Sequence, residues 1–112
     1  MRPSYLDLDG YPSRTMSAPC DDNPQGIPAA ELTFEGKPVI AMLISSETAN
    51  CRYTFGDATP DPVAQVGHTM FPGYILLFMR NSKAIRTFQF CNALAGQQQN
   101  AIMHITLFFE RQ

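Results

Sequence analysis

The sequence has no tryptophan and few charged residues. Charged side chains make up 16% of its 112 residues, well below the roughly 25% that is typical of soluble domains. The formal net charge is −2, and lysine and arginine form no run anywhere in the chain. Because nucleic-acid binding needs a clustered positive surface, this argues against DNA or RNA as a partner. So few charges instead favour a domain that assembles with another protein.

Cysteine is also scarce, which argues against a disulfide framework. Cys20, Cys51 and Cys91 are odd in number and widely spaced, and they form no CxxC pair of the kind found in structural zinc sites. We therefore expect reduced, buried thiols in a protein made in a cytosol. The first residues lack the apolar core of a signal peptide. The longest apolar run, "YILLFM", is too short to span a bilayer, so we expect no membrane partner.

Catalytic motifs are absent as well, and we expect no enzymatic activity, no cofactor and no metal. The sequence contains no P-loop, GxGxxG or GxSxG pattern. A metal site of the cupin type needs two histidines two residues apart on one strand, whereas His68 and His104 are widely separated. Cys51, Glu47 or Asp57 are conceivable additional ligands, but they do not restore that spacing.

Two pairs of residues could be interpreted as catalytic groups. For each pair we favour a structural role. Cys51 and His68 would act together only if the thiol were activated by the base, and no oxyanion loop or glycine-rich elbow lies beside a cysteine. Asp57 and Asp61 belong to "GDATPDP" (56–62), where aspartate caps and bends the backbone. We therefore interpret Cys51 as a buried thiol and the aspartates as turn residues.

Residues 1–28 hold five of the nine prolines. Since proline interrupts helices and strand ladders, this segment is predicted to be an extended arm without strand periodicity. It is either a loosely held terminus or an arm that lies along a neighbouring subunit. Its apolar side chains, which most disordered tails lack, favour contacts with a neighbour. The residues expected to make them are Tyr5, Leu6, Leu8 and Tyr11.

Residues 29–112 are predicted to form one β domain. The segments "AELTFEG", "CRYTF" and "AIMHITLFFE" alternate apolar and polar residues, as half-buried strands do. We expect a further strand over 84–93, with a bulge where the alternation slips between Ile85 and Phe88. Turn-forming residues recur at roughly the spacing of a sandwich or small barrel, and no connection is long enough for a helical crossover. The predicted fold is all-β: an antiparallel, jelly-roll-like β-sandwich with an extended N-terminal arm.

Two predicted strands, "PVIAMLIS" (38–45) and "YILLFMR" (74–80), are apolar on both faces. Either their outer faces are covered within the fold or they meet a partner, because exposed apolar patches mark interaction sites. The proline-bearing loop before the second strand is expected to contact a neighbour. The residues expected to do so are Pro60, Pro62, His68, Phe71 and Pro72.

Carbohydrate binding is the alternative function for such a sandwich. Carbohydrate-binding modules stack sugars on exposed aromatic side chains, often tryptophan. In this sequence Tyr53, Phe71 and Tyr74 would have to take that role.

Residues 43–110 resemble a recurrent pattern in small virion proteins of tailed bacteriophages. A strand ending in "RYT" (52–54) leads into a Gly/Asp/Thr/Pro turn (56–60), and "GH" (67–68) precedes the next strand. An "AIR" segment (84–86) with a following phenylalanine and an alternating C-terminal strand (101–109) complete the pattern. In size and β content the chain also looks like the decoration, or cement, proteins of podovirus heads of the epsilon-fifteen type. Residues 1–28 do not match the pattern.

This resemblance implies a structural role on the outer surface of a phage capsid, after synthesis in the host cytoplasm. Proteins of this family are β-sandwich or jelly-roll domains that dimerise and clamp neighbouring major capsid protein subunits. The implied partners are therefore the major capsid protein and a second copy of the chain. A carbohydrate-binding module of a tail or head fibre would share the same sandwich.

Overall fold

The computed structural model describes residues 10–79 and 82–111. Nine strands and two short helices follow one another within these described residues. They are β1 (Ser13–Pro19), β2 (Gln25–Gly26), a 3-10 helix (Ala29–Leu32), β3 (Thr33–Phe34), β4 (Lys37–Glu47), β5 (Cys51–Thr54), β6 (His68–Met70), β7 (Ile75–Met79), α1 (Ser82–Thr87), β8 (Gln89–Asn92) and β9 (Ile102–Phe109). Neither helix in this part of the chain is long and apolar enough to cross a membrane.

The strands form two antiparallel sheets with nested pairing. The first sheet has the order β1-β9-β4-β7, with the short β3 beside the start of β4, and the second has the order β2-β8-β5-β6. Apart from β3, the first strand pairs with the last, the second with the one before the last, and so on to β5 with β6. This nesting across two sheets is a jelly roll. The predicted antiparallel, jelly-roll-like sandwich is confirmed.

The core lies between the two sheets and is built from alternate residues of the strands. In β9 the predicted inner face is confirmed, because Met103, Ile105, Leu107 and Phe109 are each 1% exposed or less. The inner faces of the other strands supply further buried side chains of the same cluster. These include Met42, Ile44, Cys51, Met70 and Phe90. Burying each large apolar side chain contributes about 1.5–3 kcal/mol.

Two segments predicted as strands contain helix. Within "AELTFEG", residues Ala29–Leu32 form a 3-10 helix, and only Thr33–Phe34 is extended. Within 84–93, residues up to Thr87 belong to α1, and only Gln89–Asn92 is a strand. Ile85 and Phe88 are both buried, because residues three apart lie on one face of a helical turn. The slip interpreted as a bulge was therefore a helical spacing.

The N-terminal segment also differs from its prediction, because Ser13–Pro19 is a regular strand along the whole of β9. Met16 and Ala18 pack against the core cluster, while Ser13, Thr15 and Ser17 are exposed. Pro12 precedes this strand and Pro19 is its last residue, so neither proline interrupts it. The absence of strand periodicity expected over 1–28 is therefore wrong for β1 and for β2. The boundary drawn at residue 28 falls between elements of a single jelly roll.

Candidate functional site at the loop end

Four connections meet at one end of the sandwich, which we call the loop end. They are residues 20–24, 48–50, 71–74 and 93–101, between β1 and β2, β4 and β5, β6 and β7, and β8 and β9. Backbone hydrogen bonds connect three of them: Asn92 N–H, just before the last connection, donates to Asp21 O at 2.8 Å, and Ala93 N–H donates to Asn50 O at 3.3 Å. Pro72 of the fourth lines one pocket with residues of the β4–β5 and β8–β9 connections, so the four lie on one surface.

Asn92 holds this end together with both atoms of its buried side-chain amide. Its Nδ2 donates to Asn100 Oδ1 at 2.8 Å and to Asp22 Oδ1 at 3.2 Å. Its Oδ1 accepts from Ala101 N–H at 3.0 Å and from Gln97 Nε2 at 3.2 Å. Because a buried amide is costly unless it is bonded, this network fixes the positions of the long β8–β9 connection.

An apolar patch lies on one side of the loop end and consists of Phe71, Tyr74 and Ile75. These side chains are 49%, 60% and 65% exposed. The rings of Phe71 and Tyr74 meet edge to face, with centroids 5.7 Å apart. Ile75 lies opposite Ser45 of β4, on the outer face of the first sheet. Three large apolar side chains exposed side by side are typical of an interaction surface.

Ser46 fixes the turn that presents the patch. Its Oγ donates to Phe71 O at 3.1 Å, and its own carbonyl accepts from Gly73 N–H at 3.0 Å. Tyr74 N–H closes the turn onto Phe71 O at 3.2 Å. The residue is 3% exposed. The patch is therefore anchored to the long central strand β4.

A pocket of about 530 Å³ lies on the other side of the loop end. Its walls come from the β4–β5, β6–β7 and β8–β9 connections and from the outer face of the second sheet. The lining residues are Thr48, Ala49, Asn50, Arg52, Thr69, Pro72, Ala93, Leu94, Gln97, Gln98 and Gln99. Pro72 lines this Arg52 pocket and is the chain neighbour of Phe71 in the apolar patch.

Arg52 is the one charged residue in this lining, and it is only 8% exposed. Its Nε donates to Ala93 O and its Nη1 donates to Gly67 O, each at 3.1 Å. No carboxylate among the described residues forms an ion pair with it. The cation is held by backbone carbonyls, which orient the guanidinium without neutralising its charge.

The structure separates the loop residues predicted to contact a partner into two groups. His68, Phe71 and Pro72 are exposed, as a contact requires. Pro60 and Pro62 are buried because the β5–β6 loop folds back onto its own strand, where Thr54 Oγ1 donates to Ala58 O at 2.7 Å. Their rings are not available to a partner, so the expected contact is wrong for these two prolines.

In the N-terminal segment, only one of the residues predicted to contact a partner can be placed. Tyr11 is half-buried, and the guanidinium carbon of Arg111 lies 4.4 Å from the centre of its ring. Tyr5, Leu6 and Leu8 lie outside the described residues. The arm's contact with a neighbouring subunit stays a prediction.

The aromatic platform expected for carbohydrate binding does not form. Tyr53 packs partly buried against Phe55, Phe88 and the ring of His68, with centroids 5.4–6.0 Å apart. Phe71 and Tyr74 are exposed, but their ring planes lie 88° apart. No flat aromatic surface joins the three rings.

The cysteines and histidines do not form a nucleophilic pair. All three thiols are free and buried. Burial is the largest cause that raises the pKa of Cys51 to about 11, which holds it as a protonated thiol. Cys51 lies opposite Met70 in the sheet, while His68 lies opposite Tyr53. A catalytic thiol would need a lowered pKa and a base in contact.

The aspartate that can be tested in the "GDATPDP" turn has the predicted structural role. Asp61 Oδ1 accepts from Val63 N–H at 2.9 Å and from Ala64 N–H at 3.2 Å, which is an aspartate-capped turn. Within residues 10–79 and 82–111, no three His, Cys, Asp or Glu side chains are grouped so that they could hold a metal ion.

A row of hydrogen-bonded side chains crosses the first sheet on its outer face. Ser17 Oγ lies 2.7 Å from His104 Nδ1, and His104 Nε2 lies 2.7 Å from Glu47 Oε1. The order of groups is that of an acyl-transfer triad. However, the three groups lie on the exposed face of a regular sheet, and neither His104 nor Glu47 lines the cavity to which Ser17 contributes. The row is a cross-strand ladder that supports the sheet.

Sequence reasoning missed the three polar residues that organise the loop end. Arg52 sits in an alternating strand on the face opposite Cys51 and Tyr53, a position that is usually solvated. Ser46 and Asn92 lie next to the ends of predicted strands, and no sequence motif there indicates a structural role for them. Their burial arises from contacts with the β5–β6, β6–β7 and β8–β9 connections, a long-range property that local spacing does not encode.

Comparisons with known proteins add a remote likeness. No family model and no curated protein matches the chain. Among solved structures, the chain is similar to one from "The Structure of Tomato Aspermy Virus by X-Ray Crystallography", with a TM-score of 0.49 and 11% sequence identity over 92% of this chain and 79% of that chain. At this identity and TM-score the likeness carries no argument about function. The jelly-roll assignment rests on the strand order.

Proposed function

We propose that this chain is a non-enzymatic structural virion protein that decorates a phage capsid by clamping neighbouring major capsid protein subunits. The observation that supports it most is the exposed apolar patch, which the turn anchored by Ser46 presents at the surface of the jelly roll. The patch consists of Phe71, Tyr74 and Ile75. Interface cores are enriched in aromatic side chains and depleted of charge. The low charge content and the resemblance to phage decoration proteins support the same role.

A second copy of the chain is the other partner in this proposal. β7 has a hydrogen-bonded neighbour on one side only, β4, among the described residues. An open edge strand is a ready template for another strand, and two β7 edges would pair about a two-fold axis. The outward Ile75 would then lie at the dimer boundary, and the aromatic part of the patch would stay free for the capsid.

The proposal is tested by mixing the purified protein with assembled, undecorated capsids. We expect saturable co-sedimentation and a higher capsid disruption temperature, because a ligand that binds only the assembled shell stabilises it by mass action. Replacing Phe71 and Tyr74 by serine should remove both effects.

Val63→Ser is the matched control, since Val63 is 77% exposed and lies on the β5–β6 loop outside the patch. The proposal fails if the wild-type protein neither binds nor stabilises capsids. It also fails if the control loses as much binding as the Phe71/Tyr74 variant.

Carbohydrate binding by a fibre-associated module is the second candidate function. The Arg52 pocket favours it, whereas the aromatic side chains do not. A glycan array and the capsid assay together distinguish the two functions: a fibre-associated module should bind glycans without binding capsids, whereas a decoration protein should bind capsids through Phe71 and Tyr74.

A further inference from the structure

The Arg52 pocket contains a buried cation whose donors are not all used. A guanidinium has five N–H groups, and two of them donate to Ala93 O and Gly67 O, which leaves three. No polar side-chain atom in the described part of the chain is both fully enclosed and unbonded. Arg52 Nη2 has no bond to a described residue, and Arg52 lines the pocket, so its remaining N–H groups are the donors that a ligand there would use.

The rest of the lining is polar and uncharged. The lining includes residues with amide side chains, Asn50, Gln98 and Gln99, and residues with hydroxyls, Thr48 and Thr69. These groups donate and accept equally well, as the hydroxyls of a polyhydroxylated compound require. No aspartate or glutamate lines the pocket, so nothing in the lining repels an anion.

Size and apolar contacts fit a small ligand as well. The volume of about 530 Å³ lies within the range of roughly 300–1,000 Å³ for small-molecule sites. Ala49, Pro72 and Leu94 supply apolar contacts for the C–H face of a sugar ring. An inorganic anion would use the arginine alone and leave the amides unmatched.

From these observations we propose that the Arg52 pocket binds an acidic saccharide. The sugar carboxylate pairs with the free N–H groups of the Arg52 guanidinium, a charge-assisted and geometrically specific contact. The sugar hydroxyls bond the carboxamides of Asn50, Gln98 and Gln99. The pocket lining includes no residue of the apolar patch, so saccharide binding and capsid binding can be tested independently.

The test is an NMR titration of the ¹⁵N-labelled full chain with sodium glucuronate, with glucose and acetate as matched probes. We expect saturable shifts at residues 48–50, 69 and 93–99 with glucuronate. Glucose lacks the carboxylate and acetate lacks the hydroxyls. Each should therefore bind at least about tenfold more weakly than glucuronate, which is the affinity lost with one polar interaction.

A matched pair of variants tests the role of charge. Leu94 is 50% exposed, so Leu94→Asp and Leu94→Asn should both fold. Both variants lose the same leucine contact, but only the aspartate places a competing carboxylate at the pocket, so Leu94→Asp should bind glucuronate about tenfold more weakly than the isosteric Leu94→Asn. The proposal is overturned by an absence of saturable glucuronate shifts, by equal binding of glucose, by acetate matching glucuronate, or by equal affinities of the two Leu94 variants.

Discussion

The Oγ of Ser46 donates a hydrogen bond to the backbone carbonyl of Phe71 at 3.1 Å, across 25 residues of sequence. This bond links the central strand β4 to the turn that exposes the aromatic part of the apolar patch. The reciprocal bond from Gly73 N–H to Ser46 O makes the link a two-point attachment. A surface held in this way loses little conformational entropy when it binds a partner, which favours affinity.

Ser46→Ala is predicted to lower the free energy of unfolding by about 1–2 kcal/mol, because a carbonyl in a partly buried site loses its side-chain donor. Ser45→Ala is the control, since Ser45 points outward from the same strand and its hydroxyl bonds no described residue. Urea unfolding of both variants measures the difference. A Ser46→Ala protein as stable as Ser45→Ala would show that the side-chain bond does not hold the turn.

Gly67→Ala is predicted to be much more destabilising than Gly73→Ala. Both glycines have positive φ, at +116° and +91°, so alanine is strained at either site by about 1–3 kcal/mol. Only at Gly67 would the new Cβ also lie 2.9 Å from Tyr53 O and 2.9 Å from Arg52 Cγ; around Gly73 no atom lies within 4 Å. The clash should add roughly 1–3 kcal/mol.

Thermal and urea unfolding of the two glycine variants provide the comparison. Gly67→Ala should also shift the amide resonances around Arg52. The new Cβ would lie against Arg52 Cγ, and the Gly67 carbonyl accepts a hydrogen bond from Arg52 Nη1. Equal destabilisation of the two variants would contradict the close approach of β5 to the end of the β5–β6 loop.

The cysteines are predicted to make folding stability fall at alkaline pH. Burial raises the pKa of Cys20 from 9.0 to about 12 and the pKa values of Cys51 and Cys91 to about 11. A group whose folded pKa is raised contributes stability that is fully present below its unfolded pKa and is lost as pH rises toward the folded pKa. The urea midpoint should therefore be steady below about pH 8 and decline above pH 9.

Tyr53 contributes in the same direction, because burial raises its pKa too. Replacing the three cysteines by alanine separates the contributions and should make the alkaline decline shallower. A thiol-specific reagent at pH 8 should label the folded chain only as fast as it opens. Rapid labelling of native protein, or an unchanged alkaline profile in the alanine variant, would contradict the burial of these thiols.

Ile75→Lys is predicted to abolish the proposed dimer without unfolding the chain. A lysine on an edge strand opposes strand-to-strand pairing, and Ile75 is already 65% exposed. Ser13→Lys on β1, at the other edge of the same sheet, is the matched control. Sedimentation equilibrium should give a dimer for wild type and control and a monomer for Ile75→Lys; a monomeric wild-type protein would exclude the dimer.

Much of the fold follows from short-range patterns. Alternation predicts β9 and its inner face correctly. Only one face of β9 is buried, so its inward residues, such as Met103 and Phe109, are apolar at every second position. Continuous apolar runs predict β4 and β7. α1 is only six residues long, too short to repeat the helical period of 3.6 residues, so its pattern resembles an interrupted strand. The prolines at the ends of β1 obscure the alternation of Met16 and Ala18.

The candidate site was predicted only in part, for a physical reason. The exposure of Phe71 and Pro72 is predicted from the sequence, because they lie in a turn-rich loop before an apolar strand, and both are exposed in the structure. The burial of Pro60, Pro62 and Arg52 depends on loops that fold over the outer face of the second sheet. Such contacts are made between residues distant in sequence, so no local pattern marks them.

The most direct test of the structural virion role is quantitative mass spectrometry of purified virus particles. A decoration protein should be present at a fixed molar ratio to the major capsid protein, and the ratio should survive repeated gradient purification. Absence of the chain from purified particles, or trace amounts that fall with each purification step, would contradict the proposed function.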